Sequence, residues 1–272
     1  MKTITLVAFR RPVYTDQALR RLSECRRLAD FDHLMIFIDP GYEEVVEVCQ
    51  GWARRFPIDA RVFVNETRLG VAGNPLRAYS HAFGNLESDF HVAIEDDALL
   101  SPDALELALW YYNEHGSEAE RYAFFNLCDH YDYRGAERNR WNLPEDPSLI
   151  AESVNLSSPF AWCISRLQWP FIENNWDKNT RSIGGWDWSL RFAMRVEGKV
   201  ALTPVLSRCQ NIGEQDGTWE DGSTFWVQRG LNYSNGAHQG GFTLVNRVTP
   251  KEARRLARWM IPELPRYFSG TK

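Results

Sequence analysis

The first hundred residues switch repeatedly between two hydrophobic periods, and this switching constrains the fold more than any other feature of the chain. Short apolar runs at 3–9, 33–39, 61–65 and 90–95 have the length and composition of strands. The segments between them, 16–29, 42–55 and 74–84, carry apolar residues at helical spacing. Ala18, Leu22, Cys25 and Ala29 form the stripe of the first helix, and Val45, Cys49, Trp52 and Phe56 that of the second. Strands joined by helices of this size pair in parallel through right-handed crossovers. The expected fold class is therefore α/β, a mixed, mostly parallel sheet flanked by helices. Neither GxGxxG nor GxxxxGK[ST] occurs, which argues against a dinucleotide-binding Rossmann domain and against a P-loop NTPase.

In open α/β sheets, ligands bind outside the carboxyl ends of the strands. The run FHVAI, with Phe90, Val92 and Ile94 alternating with His91 and Ala93, ends at such an edge in Glu95-Asp96-Asp97. Three consecutive carboxylates there suit a hard cation, Mg²⁺ or Mn²⁺, bridging a diphosphate. A solvated acidic turn is the alternative. Ser101-Pro102 reads as an N-cap and first-turn proline for a helix ending near His115. Asn74-Pro75 reads the same way for the third helix, with LGVAG before it as a glycine turn.

Beyond that helix the pattern predicts strands at 122–127, 159–166 and 199–202 and a helix over 187–196. Polar segments at 129–147 and 207–241 read as loops. Thr249-Pro250-Lys251-Glu252 is a capping box opening a last helix to about Met260. The organisation expected is a single domain, with 1–206 as the core and 207–272 as a lid loop and closing helix. A chain of 272 residues can bury a full core, and its composition, 44% hydrophobic and 25% charged, is that of a soluble globular protein. The opening MKTITLVAF is short, lacks a small-residue cleavage site and runs into Arg10-Arg11-Pro12. It reads as a strand rather than a signal peptide, so a cytoplasmic location without membrane association is expected.

Five cysteines, an odd number with no CxxC pair, indicate neither a disulfide framework nor zinc and read as reduced core residues. The net charge of -5 weighs against a broad nucleic-acid surface. Arg20, Arg21, Arg26 and Arg27 fall mainly on the outer face of the first helix. Eleven tryptophans, many after residue 140, either line a sugar or base platform or fill the core, the more ordinary role for any one of them.

The order of a basic residue after the first strand, Asp39 after the second, a glycine turn and helix (Leu69 to Phe83), the acidic triplet and a later Trp-Asp-Trp resembles a GT-A glycosyltransferase. The similarity is greatest to the inverting β-1,2-N-acetylglucosaminyltransferase I group, which carries an EDD motif, a WDDWxR motif and a loop opening with an SR pair. Here these stand as Glu95-Asp96-Asp97, as the seven-residue stretch from Gly185 to Arg191, and as Ser207-Arg208. The resemblance spans roughly residues 3–215 in element order. Trp186 departs from it, standing where the family has the first acid of WDDW.

The resemblance implies a nucleotide-sugar donor, first of all a UDP-sugar, and a divalent metal. Asp97 would be the metal ligand, with Glu95 and Asp96 facing the ribose and the metal's water shell. Asp39 would accept a hydrogen bond from the pyrimidine base, and Arg10 would lie near the nucleotide. Asp187 would be the general base of a single, inverting displacement, although an Asp after two glycines at a helix start is also an ordinary N-cap. The 207–224 segment would close over the donor, with Trp219, Trp226 and Tyr233 near the acceptor. His238 and His130 are late histidines of the kind some GT-A enzymes turn toward the metal, and neither is assigned. The acceptor would be a glycan hydroxyl or, less in keeping with the acidic charge, a hydroxylated nucleic-acid base. Two rival functions are a nucleotidyltransferase and a non-catalytic carbohydrate-binding protein. FRRPVYT lacks the glycine-rich first loop of the former.

Overall fold

A computed structural model describes residues 1–128, 146–153, 160–177, 185–213, 238–245, 248, 249 and 251. Strand β1 (Lys2–Ala8) lies at the centre of the amino-terminal half, in parallel register with β2 (His33–Ile38) on one side and β4 (Phe90–Glu95) on the other. β3 (Asp59–Val64) extends the sheet beyond β2. Helices α1 (Pro12–Ser23), α2 (Glu43–Ala53) and α3 (Gly70–Ser80) are the crossovers between them. After β4 come β5 (Ala98–Leu100), α4 (Ala104–His115) and β6 (Tyr122–Asn126). The remaining elements are β7 (Leu149–Ser153), β8 (Ala161–Ser165), α5 (Trp169–Asn174), α6 (Gly185–Glu197), β9 (Val200–Pro204), β10 (Cys209–Asn211) and β11 (Thr243–Leu244).

Nine of these strands form one sheet in the order β11-β7-β9-β6-β8-β4-β1-β2-β3. It is mixed and mostly parallel, with β8 antiparallel to both β4 and β6 and β7 antiparallel to β9. The chain walks outward from β1 to β3 and then returns to lay β4 on the opposite side of β1. That reversal places a topological switch point between β1 and β4, where the loops leaving the two strands diverge and open a crevice.

The α/β reading holds, with shifts at element boundaries that have local causes. The first helix begins at Pro12, not 16, because proline's fixed φ suits a first helical position, and it ends at Ser23. α4 begins at Ala104, with Asp103 before it rather than Ser101 as the cap; the Ser101 hydroxyl instead donates to Asp103 Oδ1 at 2.6 Å. α3 starts at Gly70, so the predicted glycine turn is its first turn and Pro75 lies inside the helix. Gly70 has φ +72°, a conformation that favours glycine.

β4 is buried on both faces, as a central strand should be. Phe90, Val92 and Ile94 pack with α1 and α4 residues such as Leu22 and Leu105, while Ala93 lies among Tyr79, Trp162 and Trp186 on the other face. His91, also on that face, pairs its two ring nitrogens with Thr3 Oγ1 (2.8 Å) and Thr5 Oγ1 (3.0 Å). Burial lowers its pKa to about 3, so it is a neutral core residue. All five cysteines are buried and none is in a disulfide. No described helix is long and apolar enough to cross a membrane.

Candidate active site

The acidic triplet sits at the switch point. Val7 of β1 is in register with Glu95, so the loop after β1 passes beside the acids. Because Pro12 starts α1, Arg11 is the last residue before that helix, and its guanidinium reaches across to the acids. One terminal nitrogen bonds Asp96 Oδ1 and the other lies 2.9 Å from Asp97 Oδ2. The Phe9 N–H also donates to Asp96, at 3.4 Å. Asp97 is closed from behind by the two-stranded pairing of β10 with β5, which brings the Ile212 N–H to the Asp97 carbonyl at 2.9 Å. A Cβ added at Gly213 would overlap Asp97 Oδ2 and lie 3.1 Å from Arg11 Nη1. Only a residue without a side chain fits there.

Crowding three carboxylates in a buried crevice shifts their titration. Burial raises Glu95 well above the carboxylate range; Asp97, Asp96 and Asp187 raise it further and Arg11 opposes them. Asp96 is pushed up to about 6 by burial and by Asp97, against the pull of Arg11. Burial pulls Arg11 down, but the charges of Asp97 and Asp96 more than offset this and hold its guanidinium firmly protonated. Asp97 Oδ1 is a buried oxygen with no hydrogen-bond partner among the described residues.

That orphaned oxygen is the test of whether the site suits a divalent metal. A Mg²⁺-like ion keeps several waters and is commonly held by one or two carboxylates plus substrate phosphates. One unpartnered carboxylate oxygen at a crevice, with a second carboxylate adjacent, meets that requirement. No group of three or more His, Cys, Asp or Glu side chains is preformed as a complete cage among the described residues. The donor set fits a metal completed by its substrate rather than a closed structural site.

Asp39 ends β2 in a different environment. Its Oδ1 accepts from Asn65 Nδ2 (2.7 Å) and the Leu69 N–H (3.0 Å), and its Oδ2 from the Gly70 N–H (2.7 Å). It thus serves as a remote cap for α3, satisfying amides that the first helical turn leaves open. Asn65 Nδ2 also donates to Asn74 Oδ1 (2.9 Å), and Arg77 donates to Asn65 Oδ1 (2.6 Å). Nearby, the Phe9 ring meets Tyr42 edge-on at 5.0 Å and the Arg68 guanidinium at 4.3 Å. Arg10 turns toward the same ring, at 6.0 Å. It is Arg11, not Arg10, that reaches the acids.

Asp187 lies in the first turn of α6, near enough to Glu95 to raise its pKa. Burial pushes Asp187 up to about 6, against the backbone N–H groups of Trp188 and Asp187 and the charge of Arg191. Trp186 explains how α6 comes to present it. Pro75 has no N–H, so the Val71 carbonyl four residues earlier loses its helical partner. The Trp186 indole supplies one, with Nε1 3.0 Å from Val71 O. Trp176 Nε1 donates to the next carbonyl, Ala72 O, at 3.0 Å, and the two indoles stack at 4.1 Å and 10°. Trp162 continues the stack at 5.9 Å from Trp186. These tryptophans are core, as are the buried faces of Trp169 and Tyr79.

Ser207-Arg208 does not open a free loop. Arg208 is fully buried, 2.8 Å from Asp103 Oδ2, and donates to the Leu206 and Pro147 carbonyls. His238 stands at the flank of α4, its carbonyl accepting from Arg26 and its ring 5.1 Å from Phe242. His130, Trp219, Trp226, Tyr233, the closing helix after Lys251 and the lid segment from 214 onward lie outside the described residues.

No family model matches the chain, and no curated protein matches it. Solved structures do. The mannosyltransferase PcManGT from Pyrobaculum calidifontis, in complex with GDP-Man and Mn²⁺, superposes with a TM-score of 0.57 at 15% identity, over 79% of this chain and 58% of its own. S. aureus TarS 1–349 in complex with UDP-GlcNAc gives 0.51 at 14% identity, over 77% and 57%. The chain thus spans under three fifths of the length of these two structures. Its sheet is that of the GT-A glycosyltransferase fold.

Proposed function

We propose that the chain transfers a sugar from a nucleotide sugar to an acceptor hydroxyl, with inversion at the anomeric carbon. The observation that carries this reading is the convergence of Asp39, Glu95–Asp97 and Asp187 on one edge of a GT-A sheet. In this reading Asp97 holds a divalent metal, Mn²⁺ or Mg²⁺, through its unpartnered oxygen. When bound, the metal offsets the charge that gathers on the departing diphosphate. Glu95 and Asp96 line the ribose side. Asp39, already fixed by three donors, has acceptor capacity left for a base N–H, and Phe9 and Arg10 flank the nucleotide. A UDP-sugar is the first donor to test, since GDP-Man and UDP-GlcNAc both occur in structures of this fold.

Asp187 takes the acceptor's proton as the hydroxyl oxygen bonds to the anomeric carbon. The bond from that carbon to the phosphate oxygen breaks, and its electron pair leaves with the nucleoside diphosphate. A base with a pKa of about 6 is largely ionised at neutral pH and still basic enough to accept the proton. The acceptor we favour is a glycan hydroxyl, and the location we favour is the cytoplasm.

The test is nucleoside diphosphate release and transfer across a panel of nucleotide sugars with Mn²⁺. Asp187→Asn should abolish transfer at unchanged donor affinity. Wild-type kcat/KM should fall below about pH 6, where Asp187 and Asp96 both take up a proton. The stability effect runs the opposite way. The pKa of Asp187 in the folded chain lies above its ordinary 3.8, so the folded chain binds the extra proton between these values. Acidification through that window therefore stabilises the fold while it removes activity. Full transfer activity in Asp187→Asn would remove it as the base.

A further inference from the structure

The place between Asp96 and Asp97 already holds a positive charge, and it belongs to the chain. Arg11 bridges the two carboxylates as a fork, with side-chain exposures of 17% for Arg11, 6% for Asp96 and 9% for Asp97. The fork is held from its own backbone. The Arg11 carbonyl accepts from the Thr15 N–H and hydroxyl, both at 2.9 Å, and the guanidinium lies 5.4 Å from the Tyr14 ring. Gly213 closes the far side.

We propose that Arg11 is a resident counter-ion, keeping the two aspartates together in the donor-free protein and leaving them when metal and diphosphate bind. The inference rests on the reading of Asp97 as the metal ligand. A divalent ion approaching the donor-free site meets a carboxylate pair already partly neutralised and a like charge at contact distance, and both lower its affinity. A diphosphate offers the displaced guanidinium an equivalent pair of oxygens. Metal and donor therefore enter cooperatively, and each raises the affinity for the other by the same factor. Arg11 is thus a positioning residue that sets the order of assembly.

The experiment measures Mn²⁺ affinity of the donor-free protein, by the electron paramagnetic resonance signal of the unbound ion. Arg11→Gln should bind Mn²⁺ roughly 5- to 150-fold more tightly than wild type, the range typical of coupled sites. Its affinity for UDP without metal should weaken. Arg11→Lys keeps the charge but loses the fork, should fall between the two, and guards against misfolding of the glutamine variant. Arg20→Gln removes a positive charge from the exposed face of α1, where it pairs with Asp16 and not with the acids of the crevice, and should leave Mn²⁺ affinity unchanged. Affinity in both Arg11 variants equal to or weaker than wild type would overturn the proposal, as would equal tightening in Arg20→Gln. Failure of Mn²⁺ to bind any variant even with UDP would instead sink the metal reading of Asp97, and this inference with it.

Discussion

Asp39 after β2 and Asp97 after β4 lie on the same sheet edge and are buried to a similar degree, 2% and 6% exposed, yet their surroundings differ in kind. Asp39 accepts three hydrogen bonds, two of them from the amides that open α3. Asp97 stands beside two further acids, with one oxygen on Arg11 and the other without a partner among the described residues. The first carboxylate completes the fold and the second leaves it incomplete. The difference separates a residue bound into the fold from one that our proposal assigns to the metal, although both read in the sequence as an acid ending a strand.

Substitution should widen that contrast. The largest effect is expected in Asp97→Ala: Mn²⁺-dependent donor turnover should fall by at least about a hundredfold, in line with the several kcal/mol that a metal contributes to such a transition state. The melting temperature should hold or rise, because one of three crowded like charges is gone. Metal-dependent release of UDP that persists in this variant would break the comparison on the chemical side. Asp39→Ala is expected to cost about 3 kcal/mol of stability in urea unfolding, since two amides of α3 and the Asn65 side chain lose their acceptor. An unchanged unfolding midpoint would show that the cap is dispensable. The smallest effect belongs to Trp186→Phe, which keeps the stack but drops the bond to Val71. It should lower stability by about 1 kcal/mol and reduce kcat a few-fold through Asp187, with KM for the donor unmoved.

The amino-terminal half was readable because each strand and helix there carries its own period and its own start and stop signals. The position of the acids followed directly from that pattern. The sequence pattern singles out Arg10 and is silent on Arg11, yet it holds a signal for the latter: proline at 12 marks a helix start, which makes Arg11 the hinge residue between β1 and α1. Arg208 was unreadable in a different way, because its burial depends on Asp103, far away in sequence and joined to it only when β10 pairs with β5. The role of Trp186 was hidden for the same reason. A tryptophan in place of an acid looks like a loss on the acceptor side until the proline in α3 is seen to need an outside donor.

That last pairing also bears on the order in which the molecule is made. The opening turn of α3 contains a carbonyl, that of Val71, whose helical donor is missing at Pro75 and whose outside donor is Trp186, a residue synthesised long after the helix itself. A nascent chain that has just completed β4 holds strands able to pair and a helix whose first turn is left to water. Domains assemble as units during synthesis. Here the third crossover completes its hydrogen bonds only with the segment that carries Asp187, which ties the final form of α3 to that of α6.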